Sequence, residues 1–110
     1  MTNPPPLIDP ELTADQIGFL PADLVDRICA AFAQDLAQSG EALLNAAASG
    51  DSDAVLRARH SLKGLCGNFG AERVVALAEG PLIGADDRAA FARAMADTTA
   101  ALAATLSQPE

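Results

Sequence analysis

The chain contains no tryptophan and no tyrosine, and its 110 residues include only four phenylalanines. The chain therefore has few aromatic side chains on which nucleic-acid bases could stack. Positive charge is also scarce, because seven Lys and Arg residues stand against fifteen Asp and Glu residues, for a net charge of −8. A protein this acidic is repelled by nucleic-acid phosphates and by anionic lipids. We therefore expect neither nucleic acid nor a membrane as a partner.

Long apolar runs and a secretion signal are missing as well. No stretch approaches the roughly 18 consecutive apolar residues that indicate a transmembrane helix. The N-terminal residues Met-Thr-Asn-Pro-Pro-Pro have neither the basic start nor the apolar core of a signal peptide. We expect a cytoplasmic protein, in which Cys29 and Cys66 are reduced core thiols rather than a disulfide or a metal site.

The composition favours a helical domain, since half of the residues are apolar and alanine is abundant. Apolar residues recur at steps of three and four along most of the chain, which is the pattern of amphipathic helices. The predicted fold is all-α: an antiparallel up-and-down four-helix bundle with a short N-terminal lid helix. We expect residues 1–8 to be a flexible tail and residues 9–108 to form one bundle domain.

Capping residues and glycines predict where the helices begin and end. Asp9 precedes the lid helix, predicted over residues 10–18, and Gly50 follows the long second helix. The third helix is predicted over residues 52–69, and Gly70 can take the left-handed conformation that ends it. Asp86 or Asp87 is expected to cap the last helix.

Pro81 predicts an early end for the fourth helix, because proline lacks the N–H of the helical ladder and clashes with the preceding turn. We expect an irregular segment from Gly80 to Ala85. Leu82 and Ile83 are apolar, so they are expected to fold back onto the bundle.

The stretch from Arg59 to Ala71 is unusual, because it holds the only histidine, the only lysine and three of the eight glycines. The apolar positions around it form one helical stripe: Val55, Ala58, Leu62, Leu65, Cys66 and Phe69. At 100° per residue, His60 lies roughly 160° from the centre of that stripe. The sequence therefore predicts that His60 is exposed on the middle of a bundle helix.

Two of the residues that share a helix face with His60 are glycines, which leave the backbone of that face uncovered by side chains. Gly64 and Gly67 follow His60 by one and two turns, and Lys63 lies on its flank. Glycine inside a helix costs roughly 1 kcal/mol relative to alanine. Two glycines on an exposed face indicate that another molecule approaches His60 closely. Leu56 also lies beside His60, either as an apolar contact for a partner or partly buried against a neighbouring helix.

An exposed histidine can be a spectator, a pH switch, a metal ligand, a base or a nucleophile. A metal site is not supported, because Cys66 points about 120° away around the helix. A triad-type base lacks both a nucleophile and an orienting carboxylate. No Asp or Glu occurs between Ala54 and Ala71, whereas Arg57, Arg59 and Lys63 do. These cations suit an incoming phosphoryl group, although charged residues also line solvated helix faces.

The run His60-Ser-Leu62-Lys63-Gly64, followed after five residues by Gly70-Ala71, resembles the signature of histidine-containing phosphotransfer (HPt) domains. Arg59 stands where that family often has alanine, and Gly80-Pro81 interrupts the helix that follows. The resemblance implies a histidine phosphotransfer protein of a two-component phosphorelay. It would be a phosphoryl carrier rather than a self-sufficient enzyme, and we expect a monomer without an ATP-binding site.

The resemblance also implies roles for individual residues. His60 would accept a phosphoryl group from the aspartyl phosphate of a response-regulator receiver domain and pass it to another receiver. Lys63 would neutralise the phosphoryl charge, and Gly64 and Gly67 would form the surface that the partner approaches. Three further residues are expected to belong to that surface: Leu56, Arg57 and Arg59. No cofactor of the chain's own is implied, because the Mg²⁺ belongs to the receiver; a hybrid histidine kinase is the expected upstream partner.

Two alternatives remain from the sequence. One is the dimerisation and phosphoacceptor part of a histidine kinase, which usually has an acid directly after its histidine, where this chain has Ser61. The other is a bundle that binds receivers or a kinase without accepting phosphate.

Overall fold

The structure, a computed structural model, describes residues 5–82 and 84–106. Over those residues the chain is all-α, as predicted, with five helices and no strand. The helices are α1 (Pro10–Ile17), α2 (Ala22–Ser49), α3 (Ser52–Gly67), α4 (Glu72–Glu79) and α5 (Ala85–Leu106). Within the described ranges, no helix combines the length and apolar character needed to cross a bilayer.

The contacts between helices close a ring. Helix α2 contacts α3 and α5, and α4 contacts the same two helices from the other side, so α5 lies across the ring from α3. Helix α1 also contacts α5. Large side chains that are at most 3% exposed fill the ring: Phe32, Leu36, Leu43, Leu62, Val74, Phe91 and Leu102. Each contributes about 1.5–3 kcal/mol by its burial.

Helix α2 runs without a break through Gly40. A Cβ atom added at Gly40 would overlap the thioether of Met95, so the side chain of Met95 on α5 packs against the bare backbone of α2 at this point. The buried apolar stripe of α2 begins at Val25, whereas the neighbouring Leu24 is 38% exposed. Val25 precedes Phe32 by seven residues and points within about 20° of it, whereas Leu24 is about 80° away.

The helix ends follow the predicted capping with two shifts. The carboxylate of Asp9 accepts hydrogen bonds at the start of α1, and Gly50 takes a positive φ of 74° after α2. Helix α3 ends at Gly67, two residues before the predicted Phe69. The predicted cap of α5 was wrong, since the helix already begins at Ala85 and both aspartates lie in its first turn. Acidic side chains there are still favoured by the helix dipole.

The early end of α4 before Pro81 is confirmed. The helix stops at Glu79, and Gly80 has extended backbone angles. Leu82 is only 6% exposed, so the segment after Pro81 does fold back onto the bundle. Ile83, predicted to do the same, lies outside the described residues.

The structure differs from the predicted flexible tail at residues 5–8. The backbone N–H and the Nε–H of Arg73 donate to the carbonyls of Pro6 and Pro5, at 3.0 and 2.8 Å. Ile8 is 7% exposed, and the N–H of Asp9 donates to the carbonyl of Phe69 at 2.8 Å. Prolines cannot donate hydrogen bonds but their carbonyls accept them, and the burial of Ile8 adds to the attachment. Residues 1–4 lie outside the described part.

One buried polar atom predicts a stabilising substitution. Thr98 is 0% exposed, and its Oγ1 has no hydrogen-bond partner among the residues that the structure describes. Burying an unpaired hydroxyl costs about 1–3 kcal/mol in proteins, so Thr98→Val should raise the free energy of unfolding by about 1 kcal/mol. Thr99→Val is the matched control, because the Thr99 hydroxyl donates to the carbonyl of Met95. Urea denaturation of both variants checks this; an unchanged Thr98→Val would show that the hydroxyl is satisfied in solution.

Candidate functional site

The residues of the His60 motif divide between the surface and the core. His60, Lys63 and Gly64 are exposed on α3, whereas Leu62 is 0% exposed and points into the ring. The last two motif residues are structural. Gly70 has a φ of 65°, and a Cβ atom added there would lie 2.5 Å from the Cβ of Asp9. Ala71 is 1% exposed. The motif therefore contains the residues exposed around His60 and also the residues that attach α3 to the rest of the bundle.

His60 lies on the outer face of α3, as predicted, in the ninth position of a 16-residue helix. Arg57 precedes it by three residues, Lys63 follows it by three, and both are exposed. At 100° per residue they lie about 60° to either side of the imidazole, one turn before and one turn after it. The ring is thus flanked by two cations on a rigid helix whose opposite face is core.

The surface beyond His60 is open. Gly64 and Gly67 are exposed, and a Cβ atom added at either position would have no neighbouring atom within 4 Å. Neither glycine is required by the packing of the bundle. Their effect is to lower the helix surface next to the imidazole, where another backbone can approach.

Gly64→Leu is expected to have opposite effects on stability and on partner binding. The added side chain meets open space and improves helix propensity, so the free energy of unfolding should rise by roughly 0.5–1 kcal/mol. The same side chain projects beside His60 and should weaken the binding of a receiver domain. Thermal denaturation and a receiver titration measure the two effects separately. Normal binding by Gly64→Leu would show that the low surface has no role in recognition.

Leu56 is the large apolar side chain nearest to His60 on the outer face of α3. It precedes His60 by four residues, which places it one turn away, and it is 62% exposed. Most of the side chain is therefore not covered by a neighbouring helix. This exposure favours the predicted contact with a partner over the alternative of partial burial.

Arg59 does not share the environment of the other two cations. Its Nε–H donates to the carbonyl of Ala78 at 2.6 Å, and its Nη2–H donates to the carbonyl of Gly80 at 3.2 Å. Because α4 ends at Glu79, no following helical turn supplies N–H donors to these two carbonyls. The guanidinium of Arg59 therefore provides the hydrogen-bond donors for two backbone carbonyls at the end of α4. The two departures from the family pattern, Arg59 and Gly80-Pro81, are therefore in direct contact.

This difference predicts contrasting effects for two cations of α3. Arg59→Ala should lower the free energy of unfolding by about 1–2 kcal/mol, since hydrogen bonds from a charged donor are lost. It should leave the lifetime of a phosphoryl group on His60 unchanged. Lys63→Ala should shorten that lifetime while leaving stability within about 0.5 kcal/mol. Urea denaturation and the decay of phosphohistidine at fixed pH make the comparison. Equal lifetimes for Lys63→Ala and the native protein would remove Lys63 from the site.

The two cysteines do not contribute to the site. Both thiols are free, and Cys66 is fully buried on the core face of α3. Burial raises the pKa of the Cys66 thiol to about 11, so the thiolate that would act as a nucleophile is scarce near neutral pH. Burial also raises the pKa of the Cys29 thiol, with a smaller contribution from Asp26. Within the described part of the chain, no three His, Cys, Asp or Glu residues cluster as a metal site would require.

Comparison with known proteins decides the family. The family model of the Hpt domain matches residues 23–108, which is most of the chain. The chain belongs to the Hpt domain family. Hpt domains take part in histidine phosphotransfer in two-component signalling, together with receiver domains and histidine kinases. Neither the comparison with curated proteins nor the comparison with solved structures gave a match.

The Hpt match includes α2 to α5 but not α1 or the segment before it. That segment and α1 form one wall of an open groove of about 810 Å³, whose other walls come from α3 and α4. Lys63 and Gly67 line the same groove, so it continues from the His60 face. Sequence reasoning missed it. The sequence contained one indication of the groove, the apolar Ile8 within the expected tail. The other determinant is Arg73, whose hydrogen bonds to backbone carbonyls far away in sequence are visible only in the structure.

Proposed function

We propose that His60 of this Hpt domain carries a phosphoryl group between receiver domains of a phosphorelay. The observation that supports this most is the surface around His60. An exposed imidazole stands between exposed Arg57 and Lys63, and the face beyond it is left open by Gly64 and Gly67. No acidic side chain of α3 or its C-terminal turn lies between Ala54 and Ala71. The positive charge of Arg57 and Lys63 favours the approach of a negatively charged phosphoryl group to His60.

In the proposed step, the lone pair of Nε2 on the neutral His60 ring attacks the phosphorus of a receiver's aspartyl phosphate. The P–N bond forms as the P–O bond to the aspartate breaks. The aspartate leaves as a carboxylate, and Nδ1 keeps its proton, so the phosphorylated ring carries the positive charge. Lys63 and Arg57 offset the charge of the phosphoryl oxygens. The receiver contributes Mg²⁺, and the bundle contributes position and charge. Return of the group to a second receiver is the same step reversed.

The proposal includes several finer features. The helices α2 to α5 alternate in direction as an up-and-down antiparallel bundle, which the ring of contacts and the short connections support. The protein acts as a carrier rather than as a kinase, because no glycine-rich nucleotide box occurs in the sequence. A cytoplasmic location and a monomeric state are further parts of the proposal. A hybrid histidine kinase supplies the phosphoryl group through its receiver. The kinase-fragment alternative is less well supported, since Ser61 follows His60.

Phosphoryl transfer from receivers tests the proposal and separates it from the alternatives. The purified protein is mixed with ATP and the separate ATP-binding domain of a histidine kinase, and in a second reaction with receiver domains carrying labelled aspartyl phosphate. We expect no label in the first reaction and rapid label from at least one receiver, with the acid lability and alkali stability of a P–N bond. Labelling by ATP and the kinase domain without any receiver would support a kinase fragment. Receiver binding without any transfer of label would support a bundle that binds without accepting phosphate.

A further inference from the structure

The groove beside the His60 face has one wall, formed by residues 5–12, that is attached to the bundle by hydrogen bonds and burial. Pro5 and Pro6 line it, and their carbonyls are held by the hydrogen bonds from Arg73 at the start of α4. Ile8 anchors the same segment by its burial. Further along, Leu12 of α1 lines the groove and is half-buried. The wall is therefore attached to the bundle at several points along its length.

The groove has an apolar floor and an acidic rim. Cys66, Val75 and Ala76 supply apolar atoms from α3 and α4. Two exposed carboxylates of α4, Glu72 and Glu79, line the groove, and the exposed Asp9 lines it from the other wall. Among the described residues that line the groove, Lys63, at the border with the His60 face, is the one with a cationic side chain. Three acids against one base make the rim complementary to positive charge.

We propose that this groove is a second docking surface for the phosphotransfer partner, which inserts an apolar segment edged by Lys or Arg residues. The inference rests on the proposed function, because it requires the partner that reaches His60. Continuity supports it: Lys63 and Gly67 belong to both surfaces, so a domain seated over His60 also covers the mouth of the groove. Charge supports it as well, since the rim attracts a basic edge while Arg57 and Lys63 attract the phosphoryl group.

This division of charge gives the groove a role in partner choice. The cations beside His60 attract any phosphorylated receiver, whereas the acidic rim accepts only a partner whose adjoining surface is basic. One wall of the groove comes from residues 5–12, which lie outside the part matched by the family model. The groove is therefore a feature by which this chain distinguishes its own partner among similar receivers.

The test compares two phosphoryl donors across two variants and their controls. Phosphoramidate is a small donor that needs no docking surface, and the second donor is the phosphorylated receiver that transfers to the native protein. Ala76→Arg fills the groove from an exposed position, and Glu79→Lys reverses its rim. The matched controls are Ala100→Arg and Asp97→Lys, at exposed positions on α5, across the ring from α3. Circular dichroism verifies the fold of all four variants.

We expect every variant to accept phosphate from phosphoramidate at the native rate. Transfer from the receiver should fall about tenfold in kcat/KM for Ala76→Arg and for Glu79→Lys, the loss produced by disrupting one important contact, and remain native in both controls. If both groove variants accepted phosphate from the receiver with the native kcat/KM, the groove would not be a docking surface, and the proposed function would be unaffected. An equal loss with both donors would place the effect at His60 itself and also overturn it. Absence of label on the native protein from either donor would instead reject the proposed function.

Discussion

His60→Gln is expected to abolish phosphoryl acceptance from every receiver and from small phosphoryl donors. The amide nitrogen of glutamine has a delocalised lone pair, so it cannot replace the imidazole as a nucleophile. His60 is exposed, and substitutions at exposed positions usually change stability by no more than about 0.5 kcal/mol. Helicity and melting temperature should therefore be unchanged. The measurement is the label bound per protein after exposure to a phosphorylated receiver.

Ser61→Ala is the control for that experiment, because Ser61 is the exposed hydroxyl next to His60 on α3. It should accept label at the native level. Native labelling of His60→Gln together with loss in Ser61→Ala would transfer the role of phosphoacceptor to the serine. A phosphoserine would also resist acid, whereas a phosphohistidine would not.

Phe32→Ala is expected to have the largest effect on stability. The ring is 3% exposed and packs edge-on against Phe69, with ring centroids 5.0 Å apart and an interplanar angle of 86°. Removing a buried phenylalanine costs about 3–5 kcal/mol, which is a large part of the total stability of a small domain. The pair joins α2 to the turn that follows α3, so its loss also loosens the support of the His60 helix.

Phe19→Ala makes the same chemical change at a position that is 75% exposed. It should alter the free energy of unfolding by no more than about 0.5 kcal/mol. Urea denaturation of the two variants gives the difference directly. A similar cost for both would mean that the ring of helices does not bury Phe32 in solution.

The exposure of His60 was predictable because it depends on the periodicity of its own helix. Helical spacing alone separates His60 from Leu62, and the structure places them on the outer and core faces respectively. The stop before Pro81 was predictable for a similar reason, since proline acts on its own helix. These features need no knowledge of where the other helices lie.

Features that depend on residues distant in sequence were not predictable in the same way. Arg59 looks like another cation for the phosphoryl group until α4 is seen beside it, with two carbonyls in need of donors. Residues 5–8 look like a tail because their attachment depends on Arg73, 65 or more positions further along. The groove follows from that attachment, and periodicity within single helices contains no information about it.

The bond formed at His60 is the most direct measurement of the central claim. The chain has a single histidine, so the ring nitrogens of a ¹⁵N-labelled sample give one set of imidazole signals. After loading by a phosphorylated receiver, we expect the Nε2 signal to shift and couple to phosphorus, while Nδ1 retains its proton. Stoichiometric label on the protein with the His60 ring signals unchanged would contradict the account, because the phosphate would then be carried by another residue.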